Sequence, residues 1–145
     1  MQISNLMLLA AMSVGLAAPA AAPTDEEAIR ATALDYIEGW YAGDAARMER
    51  SLDPELAKRI FLRGPDGTTR LEQMSALTLI NRTRDGRGRS DPHPRTDVRI
   101  LDRFENMASV RVDASRWVDY LHMAKVEGRW RIINVLWELR PGATR

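Results

Sequence analysis

The chain has no cysteine, only two histidines and only two lysines among its 21 basic residues. Without cysteine there is no disulfide, no thiolate-bound metal, no thiol nucleophile and no lipidated cysteine to tether the chain. His93 and His122 alone cannot build a histidine-rich metal site, and no metal is expected; no cofactor is expected either. Charge of one sign is also missing, because 21 basic and 20 acidic residues leave a net +1. Such a balance provides no overall field for nucleic acid or an anionic membrane. The near-exclusive use of arginine over lysine reads first as the coding habit of a GC-rich genome. What remains is a 145-residue chain, 45% hydrophobic and 28% charged, long enough for one domain with its own core.

The first 22 residues carry no charge at all. A polar start is followed by the apolar stretch "LMLLAAMSVGLAA" and the small-residue tail "APAAA", the layout of a secretory signal peptide without its usual leading Lys or Arg. The stretch is too short and too rich in Ala and Gly for a membrane span, which takes about 20 strongly apolar residues. Cleavage is expected between residues 20 and 22, and Ala20 is favoured because a cut after Ala22 would place Pro23 at the scissile bond. A periplasmic or secreted protein follows, with no membrane contact after cleavage.

Thr24 and Glu27 form a capping-box pair, and Ile29, Ala33, Tyr36, Ile37 and Trp40 share one helical stripe, which predicts a helix over about 25–42. Gly43 and Asp44 then suit a C-cap and a new N-cap, and "PELAKR" reads as a further helical turn with Pro54 at its first position. "RIFLR-GPDG-TTRLE" reads as a hairpin, "LEQMSALTLINRT" from Leu71 as a helix, and "RDGRGRSDPHPR" as a surface loop. Beyond it the period drops to two, with strands near 97–105, 107–115, 117–126 and 129–139 in an antiparallel meander. Helices first and sheet last define the α+β class.

"YIEGWYAGDAARMERSLDPELAKR" together with "WVDYLHMAKVEGRWRIINVLWEL" resembles the "putative lumazine-binding" branch of the NTF2-like (SnoaL-like) superfamily. The resemblance spans about residues 24–140, with "DYLHM" and "GRWRIINVLWE" its most distinctive pieces. It implies a curved antiparallel sheet wrapped around a long N-terminal helix, a conical pocket at the open end, and homodimers formed through the sheet's outer face. The superfamily includes isomerases, dehydratases, cyclases and pocketed proteins without known chemistry. One departure is Asp53, where related sequences often carry His before the Pro of the "PEL" turn.

The final strand is apolar on both parities, with Trp130, Ile132, Asn134 and Leu136 on one and Arg131, Ile133, Val135, Trp137 and Leu139 on the other. Two greasy faces need two covers, which points independently to helices on one and a partner subunit on the other. In the preceding strand Asp119, Leu121, Met123 and Lys125 oppose Tyr120, His122, Ala124 and Val126. A three-residue turn with Gly128 left-handed would set Tyr120 across from Asn134, whereas a two-residue Glu127-Gly128 turn would set Leu121 there. The former is preferred because it sends Lys125 and Arg131 outward. It turns Tyr120, His122 and Asn134 into the cone beside Tyr36, Trp40 and Tyr41, as candidate ligand-binding residues.

In that arrangement His122 is the first candidate for acid or base work, and Asp102, sharing parity with Ile100 and Phe104, is the second. The plainer readings are a histidine bonded to its surroundings, an Asp102 paired with Arg103 or Arg111, and an Asp119 paired with Arg116, Arg131 or Arg111. The helical aromatics are plainly read as core, and Trp117, Trp130 and Trp137 as filling the cone's base or a dimer seam. Seven arginines between Arg82 and Arg103 suggest a phosphate-binding loop, but Asp85, Asp91, Asp97 and Asp102 cancel much of the charge, and a solvated loop is the plainer reading. Three functions stay open: a pocket for a small, largely apolar or aromatic molecule; a cofactor-free isomerase or dehydratase using His122 or Asp102; and an interaction module with a vestigial pocket.

Overall fold

Residues 21–143 are described by a computed structural model, so the expected leader over 1–20 lies outside the described residues. Thr24 caps helix α1 (Asp25–Ala42): its hydroxyl accepts from the Glu27 amide at 3.3 Å, and the Glu27 carboxylate takes the Thr24 amide at 2.8 Å. The helix buries Ile29, Ala33, Tyr36 and Ile37 on one stripe. Asp44 caps the short helix α2 (Ala45–Ser51), whose Met48 joins the same core.

The segment from Leu52 departs from expectation. "PELAKR" is no helical turn but part of strand β1 (Leu52–Arg63). Pro54 sits in the interval between Leu52 and Ala57 where pairing to the last strand is irregular, so its missing N–H removes no ladder bond there. Strand β2 (Thr69–Ser75) returns alongside, and helix α3 (Ala76–Arg84) begins five residues later than the sequence suggests. The delay has a plain cause: residues 71–75 pair with Phe61 through Ala57 of β1. Ser75 then caps α3 by accepting from the Thr78 amide.

After the loop over 85–95 come β3 (Thr96–Phe104), β4 (Met107–Ala114), β5 (Trp117–Val126) and β6 (Arg129–Leu139), as the period-two pattern predicts. The sheet order is β2-β1-β6-β5-β4-β3, antiparallel except where β1 runs parallel to β6. The result is an α+β fold, a curved, unclosed six-stranded sheet with α1 packed across β3, β4 and β6.

Register decides which side chains meet α1, and here the structure corrects the reading of the hairpin. The β5–β6 turn has two residues, Glu127 (φ 50°) and Gly128 (φ 77°), with Val126 paired to Arg129. A bulge follows: Met123 pairs with Ile132, but His122 pairs with Asn134, leaving Ile133 as the extra residue. Trp130 and Ile132 therefore face inward before the bulge, and Val135, Trp137 and Leu139 face inward after it. A second bulge in β3, at Leu101 between Ile100 and Asp102, separates Asp102 and Phe104 from the inward Ile100. Lys125, expected outward, instead reaches Asp25 at the start of α1 at 2.7 Å, beside Trp130.

Candidate functional site

Asp119, Leu121 and Met123 turn into the core, whereas Tyr120 and His122 turn out. Asp119 is fully buried. Burying a carboxylate is costly unless its oxygens are matched by donors, and three elements supply them. Lys58 from β1 forms an ion pair and hydrogen bond to Oδ1. Tyr36 from α1 donates its hydroxyl to Oδ2 at 3.1 Å, and the Trp117 indole donates to the same oxygen at 2.7 Å.

Lys58 is 5% exposed and makes a second hydrogen bond, to the Tyr36 hydroxyl at 2.5 Å. Its ammonium also lies 4.9 Å from the Trp137 ring centre and 5.3 Å from that of Tyr36. Burial lowers the Lys58 pKa, and the Asp119 carboxylate opposes that shift. Burial, reinforced by Asp119, holds the Tyr36 phenol protonated well past its usual range. The cluster is a closed proton-donor network with one positive and one negative charge.

Above it lies a cavity of about 710 Å³, bounded by Lys58 and Tyr36 at one end. Its apolar walls come from Ile37, Trp40 and Tyr41 of α1, Met48, Met74, Leu79, and Trp117, Trp137 and Leu139 of the sheet. Trp117 is the hub of the aromatic set: its ring lies 6.4 Å from Trp40 at 88°, 5.8 Å from Tyr41 at 32° and 6.4 Å from Trp137 at 77°. Trp117 and Trp137 thus line the cavity, and only Trp130 of the three strand tryptophans is buried away from it. The loop after α3 closes one side. Gly88 packs so tightly against α1 that a Cβ there would stand 2.3 Å from the Trp40 carbonyl oxygen. The Arg89 guanidinium reaches the Ala42 carbonyl at 3.0 Å, and the Arg95 amide reaches Ser115 at 2.8 Å.

Of the residues singled out from the sequence, Tyr36, Trp40 and Tyr41 line this cavity. Tyr120, His122, Asn134 and Asp102 do not, because the two-residue turn and the two bulges place them on the sheet's other face. Asp102, Ser109, His122 and Asn134 form a row across four strands there, beside a shallower cleft of about 390 Å³. Tyr120 is 46% exposed and accepts from Arg111 at 3.3 Å. The residues missed include Lys58, Trp117 and Trp137. Lys58 was hidden because its segment reads as helical, yet a lone lysine flanked by Leu56 and Ile60 at period two was the available signal. Among the described residues no group of three His, Asp or Glu side chains could hold a metal, and no helix is long and apolar enough to cross a membrane.

A long helix cradled by a curved sheet, with a lined hollow at one end, defines an NTF2-like fold, and the solved structures agree. An NTF2-like protein of unknown function from Shewanella baltica OS155 superposes with a TM-score of 0.65 at 21% identity, over 81% of this chain and 95% of that one. One from Silicibacter pomeroyi DSS-3 gives 0.60 at 22% identity, over 78% and 93%, and an NTF2-like protein from Cytophaga hutchinsonii ATCC 33406 gives 0.60 at 15%, over 81% and 100%. The chain belongs to the family described as "Putative lumazine-binding", whose pattern matches residues 24–138. No curated protein matches it.

Proposed function

We propose that this is an exported protein that binds a small, largely apolar or aromatic molecule in the cavity between α1 and the sheet. The observation that carries this reading is the pairing of aromatic walls with a polar floor that is already satisfied. Trp40, Tyr41, Trp117 and Trp137 offer ring surface, while Lys58, Tyr36 and Asp119 hold one another in place. A volume of about 710 Å³ lies within the range of pockets for drug-sized ligands, roughly 300–1,000 Å³. The family description points the same way.

Export is supported by the uncharged leader and by where the family match starts, at residue 24, just past the expected cut. The outer face supports a homodimer: Phe61, Leu71, Phe104, Met107 and Leu136 are each about half exposed or more, and no helix among the described residues covers them. Calorimetric titration with neutral 2-naphthylmethanol tests the reading. Saturable binding is expected, and Leu139→Trp, which fills the cavity from a half-buried wall position, is expected to abolish it without loss of fold. Binding that survives the substitution would place the ligand elsewhere.

A further inference from the structure

We infer that the cavity's ligand is a small aromatic oxyanion, a flat ring system bearing a carboxylate or phosphate, with its rings among the tryptophans and its anion at Arg82, Arg87 and Arg116. The inference rests on the pocket reading above and adds the charge of the molecule bound.

Three separate segments place arginines in the lining of one cavity: Arg82 from the last turn of α3, Arg87 from the following loop and Arg116 from the β4–β5 turn. Elsewhere several arginines are taken up by carboxylates, Asp113 alone engaging three. At the cavity this does not happen. Among the described residues the side chains of Arg87 and Arg116 make no hydrogen bond or ion pair. Arg82 donates only to the Met74 sulfur, at 3.0 Å, a weak acceptor that leaves most of its fork unused.

The remaining charges do not cancel them. Lys58 and Asp119 neutralise each other at the floor. Among the described residues Asp91 is the single lining carboxylate, and its Oδ1 already accepts the His93 amide at 3.0 Å. The lining therefore carries a positive excess beside low-dielectric aromatic walls, which focus the field of such charges into the hollow. Planar guanidinium forks match carboxylate and phosphate oxygens, and indole faces match a flat ring. The site is also positioned rather than loose. Gly88, immediately after Arg87, is wedged against Trp40, and Arg89 is tied to Ala42.

Calorimetric titration of the purified protein with 2-naphthoate, 2-naphthyl phosphate, 2-naphthylmethanol and 2-naphthylmethylamine tests this. Both anions are expected to bind at least about tenfold tighter than the alcohol, with the amine weakest, and the gap is expected to narrow in high salt. The tighter of the two anions identifies the oxyanion type. The double variant Arg87→Gln/Arg116→Gln, at two exposed positions, is expected to cut the preference severalfold, with Arg82 left to hold the remainder, while the melting temperature stays unchanged. An alcohol that binds as tightly as the anions, or a preference that the double variant leaves undiminished, overturns the inference and leaves the pocket reading standing. If none of the four binds, both fail together.

Discussion

Two carboxylates lie out of water on neighbouring strands and on opposite faces of the sheet, and the protein satisfies them differently. Asp119, inside, meets one ammonium and two neutral donors, Lys58, Tyr36 and Trp117. Asp113, outside, meets three guanidiniums, with Arg111 at 2.8 Å, Arg140 at 2.8 Å and Arg99 at 3.0 Å. The interior permits no surplus charge, because each unmatched ion there is expensive. On the outer face the arginines that bind the carboxylate are themselves partly exposed to water, so surplus positive charge is tolerated. The same residue type is thus a component of a cavity floor on one face and a surface clasp on the other.

The inner pair is the place to break this contrast most severely. Asp119→Leu leaves the Lys58 ammonium buried without its counter-ion, and a loss of about 3–5 kcal/mol is expected in urea denaturation. Lys58→Met strands Asp119 in the same way. The double variant removes both charges and is expected to recover most of the loss, so the double-mutant cycle should show strong coupling. Losses that simply add would mean that the two groups do not depend on each other.

Asp113→Asn is expected to cost less, about 1–2 kcal/mol at neutral pH, because water screens the arginines that hold it. Its effect should also depend on pH. The Arg111 hydrogen bonds, with those of Arg140 and Arg99, hold the Asp113 carboxyl well below its ordinary range. A depressed folded value stabilises the protein fully above the unfolded value, near 3.9, and progressively less as pH falls below it. The gap between wild type and variant is therefore expected to be widest at neutral pH and to narrow below about pH 4. A gap that stayed constant to pH 3 would show that the shift is not what Asp113 contributes.

The hairpin register has two supports, the β5–β6 turn and the packing of Asp119, and the first can be probed gently. Gly128 holds φ at 77° with open space around it, so Gly128→Ala adds backbone strain and no clash. A loss of about 1 kcal/mol is expected by denaturation, with the indole side-chain resonance of Trp117 unmoved. A shifted Trp117 resonance would mean that the turn, rather than the packing of Asp119, sets the register.

Much of the fold was legible because helix caps and strand periodicity are local signals. Thr24 with Glu27 fixed the start of α1, and alternation located all four strands of the meander to within a residue or so. The cavity was half legible. Its helical wall, Tyr36, Trp40 and Tyr41, follows from one stripe, but its sheet wall depends on long-range register. Single extra residues at Leu101 and Ile133 reverse the faces of everything beyond them, and nothing local in "RILDRF" or "RIINVL" announces a bulge. The two apolar parities of β6 were in fact two halves of one inner face joined by the bulge at Ile133, with Leu136 and Asn134 left outside. Lys58 was lost for a related reason: Pro54 reads as a helix start, although here it marks a break in strand pairing.

The outer face yields the smallest expected change in folding and the clearest change in assembly. Leu136 is 57% exposed, paired with Tyr120 on one side and Arg59 on the other, with Phe61, itself 63% exposed, two residues further along β1. Nothing inside the chain depends on it, so Leu136→Glu is expected to shift the stability of an isolated subunit by no more than about 0.5 kcal/mol. If this face joins two subunits, the same substitution places a carboxylate on each side of a desolvated, twofold seam. Two like charges there cost far more than the apolar contact they replace. Light scattering coupled to size exclusion is therefore expected to show a dimer for the wild type and a monomer for the variant, with unchanged binding in the inner cavity. A wild type that elutes as a monomer at every concentration would leave the outer face without a partner subunit, while the contrast between the two carboxylates would stand untouched.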